Sequence, residues 1–477
     1  MSEIKRKVLS GVVWESTGQF LSLGIQFIVT ILIARVLMPE DFGIVGLLTV
    51  FTAVSSILLD SGFSQALIQK KDANNVDFSS VFYTNLLVGI LLYFILFHAS
   101  YNIAIFYDTP ELTKYARIVF LIIPITSLGL VQNVIIQKNM EFRKTATASF
   151  GAALFSGLIG IWLAYSGYGI IALVMQQVSM YFIRTLMYIL QMRWKPNLIF
   201  SFQAIKSLFS FSINLMFHSL INTIFKNIYT LIIGKYFSTT EVGYYNQASK
   251  FEEVSASTVT GIVVKVSFPA LVQIKDDVNK VRLACQSITS MTFFFICPLM
   301  VLLICIGSPL FSLLLTEKWL PAVPYFRLLC LYGLTLPVIQ ISYNIYKLYK
   351  KGKLLVMLDS SRHALFLISI FITIKYGVSV LLVGQFVVMF IMSFVNMYFS
   401  GKLINYTVKN QIIHAIPYYL LSVFSGIILW VIPYMRNDIL TLIVYIPVFT
   451  VIYLTGAFVF KLNAFLELKN IIIKYTK

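Results

Sequence analysis

Long apolar runs separated by short polar segments occupy almost the whole chain. Most runs approach the roughly 20 residues that an α-helix needs to cross the hydrocarbon core of a bilayer. They are continuous, unlike the alternating segments of about ten residues that are typical of membrane barrels. The pattern therefore predicts an all-α integral membrane protein. We place about 14 spanning helices at residues 11–34, 42–64, 79–100, 116–136, 146–165, 170–191, 208–233, 242–264, 284–306, 325–348, 356–374, 378–400, 414–433 and 439–460.

A sequence repeat relates the first two predicted spans to the seventh and eighth. Residues 30–44 read TILIARVLMPEDFGI, and residues 230–244 read TLIIGKYFSTTEVGY. Equivalent residues align at an offset of 200: Thr30 with Thr230, Ile33 with Ile233, Arg35 with Lys235, Asp41 with Glu241, and Gly43 with Gly243. An internal repeat predicts two equivalent halves. We assign the shared cation and acid positions to the scaffold.

The repeat also predicts how the chain is divided. Six spans separate the two copies, and an even number preserves orientation, so the halves should be parallel repeats related by an axis along the membrane normal. This interpretation gives an N-lobe at residues 1–200 with spans 1–6 and a C-lobe at residues 201–405 with spans 7–12. Residues 406–477 hold two further spans and a basic C-terminal tail without counterparts.

Composition and charge agree with this membrane assignment. The chain has 477 residues, of which 58% are hydrophobic and 12% charged, with a mean hydropathy of +0.85. Soluble domains carry roughly 25% charged residues. The net charge of +18 is explained by lysines and arginines that collect on cytoplasmic segments, so no nucleic-acid partner is expected. If both termini are cytoplasmic, the inner segments hold most of these cations, and we count Arg362 among them.

The sequence contains no pattern that supports catalysis or a resident cofactor. Walker A, HExxH and GxSxG sequences are absent, and cysteines and histidines do not cluster at metal-ligand spacing. We interpret Cys285, Cys297, Cys305 and Cys330 as small apolar packing residues. The sequence thus favours a transport protein that needs no cofactor, rather than an enzyme or a pump with its own ATPase.

Charged residues inside predicted spans are the candidates for function, because a charge in the bilayer is costly unless it faces a cavity or a partner. Lys226 and Lys250 each lie nine residues from the turn between spans 7 and 8, about 13 Å below the outer boundary. Glu252 and Glu253 are close to them in depth. Two interpretations stay open: a charged binding site on the inner wall of the C-lobe, or structural ion pairs between neighbouring helices.

The repeat distinguishes these charges from the scaffold. Their equivalents in the other half are uncharged: Gln26 for Lys226, Val50 for Lys250, Thr52 for Glu252, Ala53 for Glu253, and Leu215 for Glu15. Asymmetric charge in a symmetric scaffold favours a substrate or ion site. Polar residues in the same spans predict either close helix packing or a hydrated cavity lining. The predicted substrate-binding residues are Lys226, Lys250, Glu15, Glu252, Glu253, Gln26 and Asn222.

Two further charges have simpler explanations. We expect Asp60 to cap or pair at the cytoplasmic end of span 2. We expect Arg184 in span 6 to reach the cytoplasmic boundary by snorkelling, with a role as a ligand as the less favoured alternative.

Several segments resemble Wzx-type polysaccharide flippases of the multidrug/oligosaccharidyl-lipid/polysaccharide superfamily. The motifs that carry the resemblance are SGVVWES, LIARVLMPEDFG, SGFSQALIQKK, QKNMEFRK, GKYFSTTEVGYYNQA, FPALVQIKDDVNKVR and TEKWLPAVPYF. They are most similar to the colanic-acid-exporter branch of lipopolysaccharide biosynthesis proteins. The resemblance extends over about residues 1–400.

The resemblance implies a function and a set of partners. A monomer would move an undecaprenyl-diphosphate-linked oligosaccharide from the inner to the outer leaflet of a bacterial inner membrane. Alternating access of the two lobes would be driven by a gradient of H⁺ or Na⁺, and polysaccharide polymerase or assembly proteins would be partners. Basic residues in relatives face the diphosphate, which points to Lys226 and Lys250 here. A cation-coupled drug exporter of the same fold and a scaffold protein without transport activity are the alternatives.

Overall fold

A computed structural model describes the backbone of every residue except Met1, Ser2, Tyr434, Arg436 and Lys477. It describes side chains except those of residues 1–10, 12, 210–211, 257–266, 434, 436 and 470–477. Within the described backbone, α-helices connected by short turns make up nearly all of the chain. The predicted all-α fold is therefore confirmed.

Two compact units divide the chain, Met1–Gly243 and Tyr244–Lys477. The helices of unit 1 are α1 (Glu3–Val36), α2 (Pro39–Asp60), α3 (Phe63–Gln69), α4 (Asn75–Phe106), α5 (Leu112–Val119), α6 (Ile122–Lys138), α7 (Phe142–Tyr165), α8 (Ile170–Met192) and α9 (Phe202–Tyr236). Helix α10 (Thr239–Gln273) begins in unit 1 and continues into unit 2. The predicted lobe boundaries at residues 200 and 405 stay a prediction.

Unit 2 contains the remaining helices. These are α11 (Val278–Leu315), α12 (Val323–Gly333), α13 (Leu336–Leu348), α14 (Gly352–Thr373), α15 (Val378–Ile404), α16 (Val408–Val431), α17 (Asp438–Val459) and α18 (Asn463–Thr476). Short 3₁₀ helices at Glu317–Ala322 and Ile374–Tyr376 precede α12 and follow α14.

Twelve helical segments among the described residues are long and apolar enough to cross a membrane. A bent pair, Phe202–Phe209 and Ser212–Tyr236, meets at 58° and would make a thirteenth span. The remaining predicted span, 242–264, falls in α10, where some of the side chains lie outside the described residues. The chain is thus a multi-pass membrane protein, and the count of fourteen stays a prediction.

Two spans are broken where proline removes a backbone donor. Pro124 has no N–H to offer the carbonyl of Phe120, four residues earlier, and that carbonyl instead accepts from the N–H of Ile123 at 3.0 Å. The span Leu112–Lys138 therefore consists of α5 and α6. Pro337 similarly follows the break between α12 and α13, within the span Glu317–Leu348.

The repeated turn joins equivalent helices at equivalent positions. Helices α1 and α9 end at Val36 and Tyr236, and α2 and α10 begin at Pro39 and Thr239. In the first copy the Asp41 carboxylate accepts the Met38 N–H at 2.8 Å. This bond satisfies a backbone donor at the start of α2, where the helix cannot do so itself. The turn chemistry supports a scaffold role for Asp41.

In the second copy of the turn, different side chains hydrogen-bond the backbone at helix ends. The Ser238 hydroxyl accepts the N–H of Glu241 at 3.2 Å at the start of α10. Lys235 Nζ donates to the Phe106 carbonyl at 2.6 Å, at the C-terminal end of α4. A cation is favourable there because the last carbonyls of a helix carry partial negative charge. This contact supports the scaffold role that the repeat predicts for Lys235.

Candidate functional site

A polar cavity of about 310 Å³ lies within unit 1, between α1, α7 and α8. Residues 15, 19, 22 and 26 of α1 recur at helical spacing and so share one face of that helix. Small residues let α7 approach closely: a Cβ on Gly18 would lie 2.4 Å from the Cβ of Ala146. The lining residues are Glu15, Gln19, Ser22, Leu23, Gln26, Thr145, Ala146, Ser149, Ala152, Met180 and Arg184.

Arg184 places a positive charge in the wall of this cavity. It is half-buried and lies eight residues before the end of α8, about 12 Å along the helix axis. Its guanidinium carbon lies 4.6 Å from the ring centroid of Tyr181. The side chain lines the cavity, as the ligand alternative requires, and the expected snorkelling to the cytoplasmic boundary stays a prediction.

Glu15 supplies an opposite charge to the same cavity. Tyr188 lies within electrostatic reach of both Glu15 and Arg184, which places the two charges in one neighbourhood of α1 and α8. The remaining polar groups are hydroxyls and amides, which both donate and accept hydrogen bonds. Such a lining is suited to a ligand that carries hydroxyl groups and a charge.

The structure brings together only some of the residues predicted from sequence. Glu15 and Gln26 line the cavity. Asn222 and Lys226 lie on α9 and do not line it; the Asn222 amide hydrogen-bonds a ring nitrogen of His218 at 3.1 Å, and the Lys226 side chain is exposed. Asp60 accepts the Ser64 N–H at 3.1 Å, as expected for a cap at the end of span 2.

The other predicted residues lie in unit 2, on α10. Lys250 and Glu253 are three residues apart and attract each other electrostatically. Glu252 is buried, with 5% of its surface exposed. One of its carboxylate oxygens lies beside Gly333, where a Cβ would come within 2.5 Å of it. A glycine at that position leaves room for the carboxylate against α12. The assignment of these residues to substrate binding stays a prediction.

Unit 2 also contains a buried ion pair that the sequence analysis did not predict. Arg362 forms an ion pair with Asp359 at 2.9 Å, and the Tyr343 hydroxyl donates to the same carboxylate oxygen. Arg362 lies in the candidate span Gly352–Tyr376 and is mostly buried, and its place among the inner-surface cations stays a prediction. The spacing of Asp359 and Arg362, three residues apart within an apolar run, was the available signal.

The match to a known family decides the classification. Residues 32–324 match the family described as "Polysaccharide biosynthesis protein". The chain belongs to the polysaccharide biosynthesis protein family. This assignment confirms the resemblance seen in the sequence motifs.

Two bacterial proteins of known pathways align with most of the chain. The chain is 27% identical over 412 residues to the teichuronic acid biosynthesis protein TuaB of Bacillus subtilis (strain 168), covering 86% of this chain and 84% of TuaB. It is 24% identical over 333 residues to the lipopolysaccharide biosynthesis protein WzxC of Escherichia coli (strain K12), covering 69% and 68%.

Solved structures show that this polysaccharide biosynthesis protein shares its fold with membrane transporters. The lipid II flippase MurJ in an inward closed conformation superposes with a TM-score of 0.76 at 19% identity, covering 94% of this chain and 98% of MurJ. An inward-facing MATE family multidrug transporter of the MOP superfamily gives a TM-score of 0.61 at 14% identity, covering 80% and 94%. The predicted MATE/MOP-like fold is confirmed.

Proposed function

We propose that the protein is a flippase that translocates an undecaprenyl-diphosphate-linked oligosaccharide from the inner to the outer leaflet of a bacterial inner membrane. The polar cavity of unit 1 carries this proposal. In a bundle of apolar helices, a lining of hydroxyls, amides, one acid and one arginine is suited to a hydrophilic head group. A purely apolar substrate would bring no hydrogen-bonding groups to this lining.

The family supports the same substrate class. TuaB and WzxC are named for the synthesis of teichuronic acid and lipopolysaccharide, and MurJ is named as a flippase of lipid II. A transport protein in such a system handles a sugar polymer or its lipid-linked precursor. We therefore assign transport, and no catalytic step, to this chain.

We further propose alternating access driven by an ion gradient, with both termini in the cytoplasm. The distribution of lysines and arginines along the sequence supports this orientation. The buried carboxylate of Glu252 supports coupling, because an acid in a predicted span binds or releases a cation with a change in local charge. Lys226 and Lys250 remain the proposed contacts for the diphosphate. Polymerase or assembly proteins are proposed as partners, and the transporter is proposed to act as a monomer.

Deletion of the gene in the source bacterium tests the proposal. Surface polysaccharide should disappear, and lipid-linked oligosaccharide should accumulate on the cytoplasmic side, because the precursor cannot cross. Plasmid-borne wild-type protein should restore both. Sensitivity to cationic drugs is the control and should not change. Normal surface polysaccharide together with increased drug sensitivity would instead identify a drug exporter.

A further inference from the structure

We propose that Arg184 is the anion-binding group of the unit 1 cavity, and that it contacts an acidic group on the lipid-linked glycan. This inference rests on the proposed flippase function and deepens it, since it assigns a binding role to a residue that the sequence placed at the membrane boundary. The acidic group is an oxyanion, supplied either by the diphosphate or by a carboxylate of an acidic sugar.

The N–H donors of the Arg184 guanidinium are not used by the described part of the protein. Arg184 forms no ion pair and donates no hydrogen bond to any residue that the structure describes. A guanidinium has five N–H donors and stays charged. A half-buried charge in a spanning helix is costly unless a counter-charge or water meets it. Glu15 supplies a counter-charge in the same lining but forms no direct ion pair with Arg184, so water or a ligand in the cavity must satisfy the N–H donors.

Arg117, another arginine of unit 1, has a structural role that differs from the role proposed for Arg184. Arg117 lies over the ring of Phe97, at 4.4 Å, and its Nε also donates to the Ser100 hydroxyl at 3.3 Å. Both contacts attach α5 to α4. Arg184 has a comparable ring contact with Tyr181 on its own helix, but its N–H groups are left for the cavity. The ring contact orients the guanidinium plane without occupying its donors.

The cavity has the size and polarity of a ligand site. Its volume of about 310 Å³ lies at the lower end of the range of roughly 300–1,000 Å³ found for small-molecule sites. The planar fork of an arginine binds a carboxylate or phosphate through two parallel hydrogen bonds. Gln19, Gln26 and Ser149 lie in the same lining and can hydrogen-bond the hydroxyl groups of a sugar. The lining thus combines one anion contact with several hydroxyl contacts.

Binding to the purified full-length protein in nanodiscs tests the inference. The probes are a polyprenyl diphosphate that carries a neutral oligosaccharide and one that carries a uronic acid residue. Arg184→Gln should weaken binding of at least one probe by about tenfold or more, because a charged hydrogen-bonded pair is lost. Arg184→Lys should lose less, since it keeps the charge without the planar fork. Arg117→Gln is the matched control and should stay within about twofold of wild type.

The two probes separate the sources of the oxyanion. A loss with both probes identifies the diphosphate, and a loss confined to the acidic glycan identifies the sugar carboxylate. Gln19→Glu provides a second variant that keeps Arg184 in place. The added carboxylate should compete for the guanidinium and weaken the same probe.

The outcomes also separate this inference from the function on which it rests. If wild type binds the probes and both Arg184→Gln and Gln19→Glu bind them equally well, the anion-binding role is overturned while the flippase proposal stands. If wild type binds neither probe, both proposals are overturned. A folded Gln19→Glu variant keeps the test decisive should Arg184→Gln fail to accumulate.

Discussion

Gly43 and Gly243 meet each other at the start of α2 and α10. A Cβ on Gly43 would lie 1.7 Å from the Thr239 carbonyl oxygen and 3.1 Å from the Gly243 nitrogen. A Cβ on Gly243 would lie 1.9 Å from the Pro39 carbonyl oxygen and 3.3 Å from the Gly43 nitrogen. The contact is thus reciprocal. Both copies of the repeated turn have a glycine here, because a side chain at either position would collide with the backbone of the other copy.

Gly43→Ala and Gly243→Ala should each destabilise the protein. The added methyl group meets backbone atoms, which cannot rotate away as a side chain can, so the two helices must separate. Overpacking of this kind costs about 1–3 kcal/mol or more, which outweighs the gain of about 1 kcal/mol in helix propensity. Thermal unfolding of the purified protein in detergent measures the effect.

Gly24→Ala is the matched control for these variants. Gly24 lies in α1, and nothing lies within 4 Å of the Cβ that it would gain. Its unfolding temperature should be unchanged or slightly higher than that of wild type. Wild-type stability in both Gly43→Ala and Gly243→Ala would contradict the close contact.

Replacement of Arg362 should destabilise unit 2 more than the loss of an exposed ion pair does. Asp359 is buried, and Arg362→Met would leave its carboxylate with the Tyr343 hydroxyl as the one side-chain partner among the described residues. Removing one partner of a buried pair typically costs about 3–5 kcal/mol. Asp359→Asn in the same protein should recover part of the loss, which denaturant unfolding of the single and double variants would measure.

Lys280→Met provides the comparison for Arg362. Lys280 pairs with Asp277 at the same three-residue spacing, but both side chains are largely solvated, with 68% and 44% of their surfaces exposed. Exposed pairs contribute little to stability, because water screens both charges. Equal losses in Lys280→Met and Arg362→Met would show that burial of the Asp359 pair has no energetic consequence.

The double variant Lys226→Ala/Lys250→Ala should reduce polysaccharide export by at least about tenfold at normal protein levels, if the two cations bind the diphosphate. Export is measured as surface polysaccharide in a deletion strain that carries each variant. Lys71→Ala, which removes an exposed lysine of the loop after α3, is the control and should export normally. Normal export in the double variant would remove both lysines from the mechanism.

Cysteines introduced at Lys235 and Lys275 should be labelled from opposite sides of the membrane. Lys235 follows an outward-running span, and Lys275 follows the next one, so the positive-inside distribution places them outside and inside. Cys305 is only partly buried and is replaced by Ser, and background labelling should then be low because Cys285, Cys297 and Cys330 are buried. Labelling of both positions by the same impermeant reagent in intact cells would contradict the predicted topology.

Local chemistry made much of the fold predictable. Apolar runs of bilayer length specify helices whatever their neighbours are, because a backbone in lipid must satisfy its own hydrogen bonds. The equivalent helix ends at Val36 and Tyr236 follow from the repeated turn alone. The breaks before Pro124 and Pro337 follow from a missing backbone N–H.

The candidate site was only partly predictable. Helical spacing in the sequence places Glu15 and Gln26 on one face of α1, but spacing does not say which helix that face meets. Only the packing of α1 against α7, and of α7 against α8, brings Arg184 to the same cavity, about 160 residues later in the chain. The partnership of Tyr343 and Asp359 has the same origin, since it joins α13 to α14.

The sequence by itself determined the membrane helices, their turns and the repeat, because these depend on hydrophobicity and on interactions within a few residues. The tertiary structure decided which charges share an environment. Lys235 binds the end of α4, Arg362 pairs with Asp359, and Arg184 faces a polar cavity. The charge of each side chain is fixed by its type, but its role depends on the neighbours that packing supplies, and packing contacts join residues far apart in the chain.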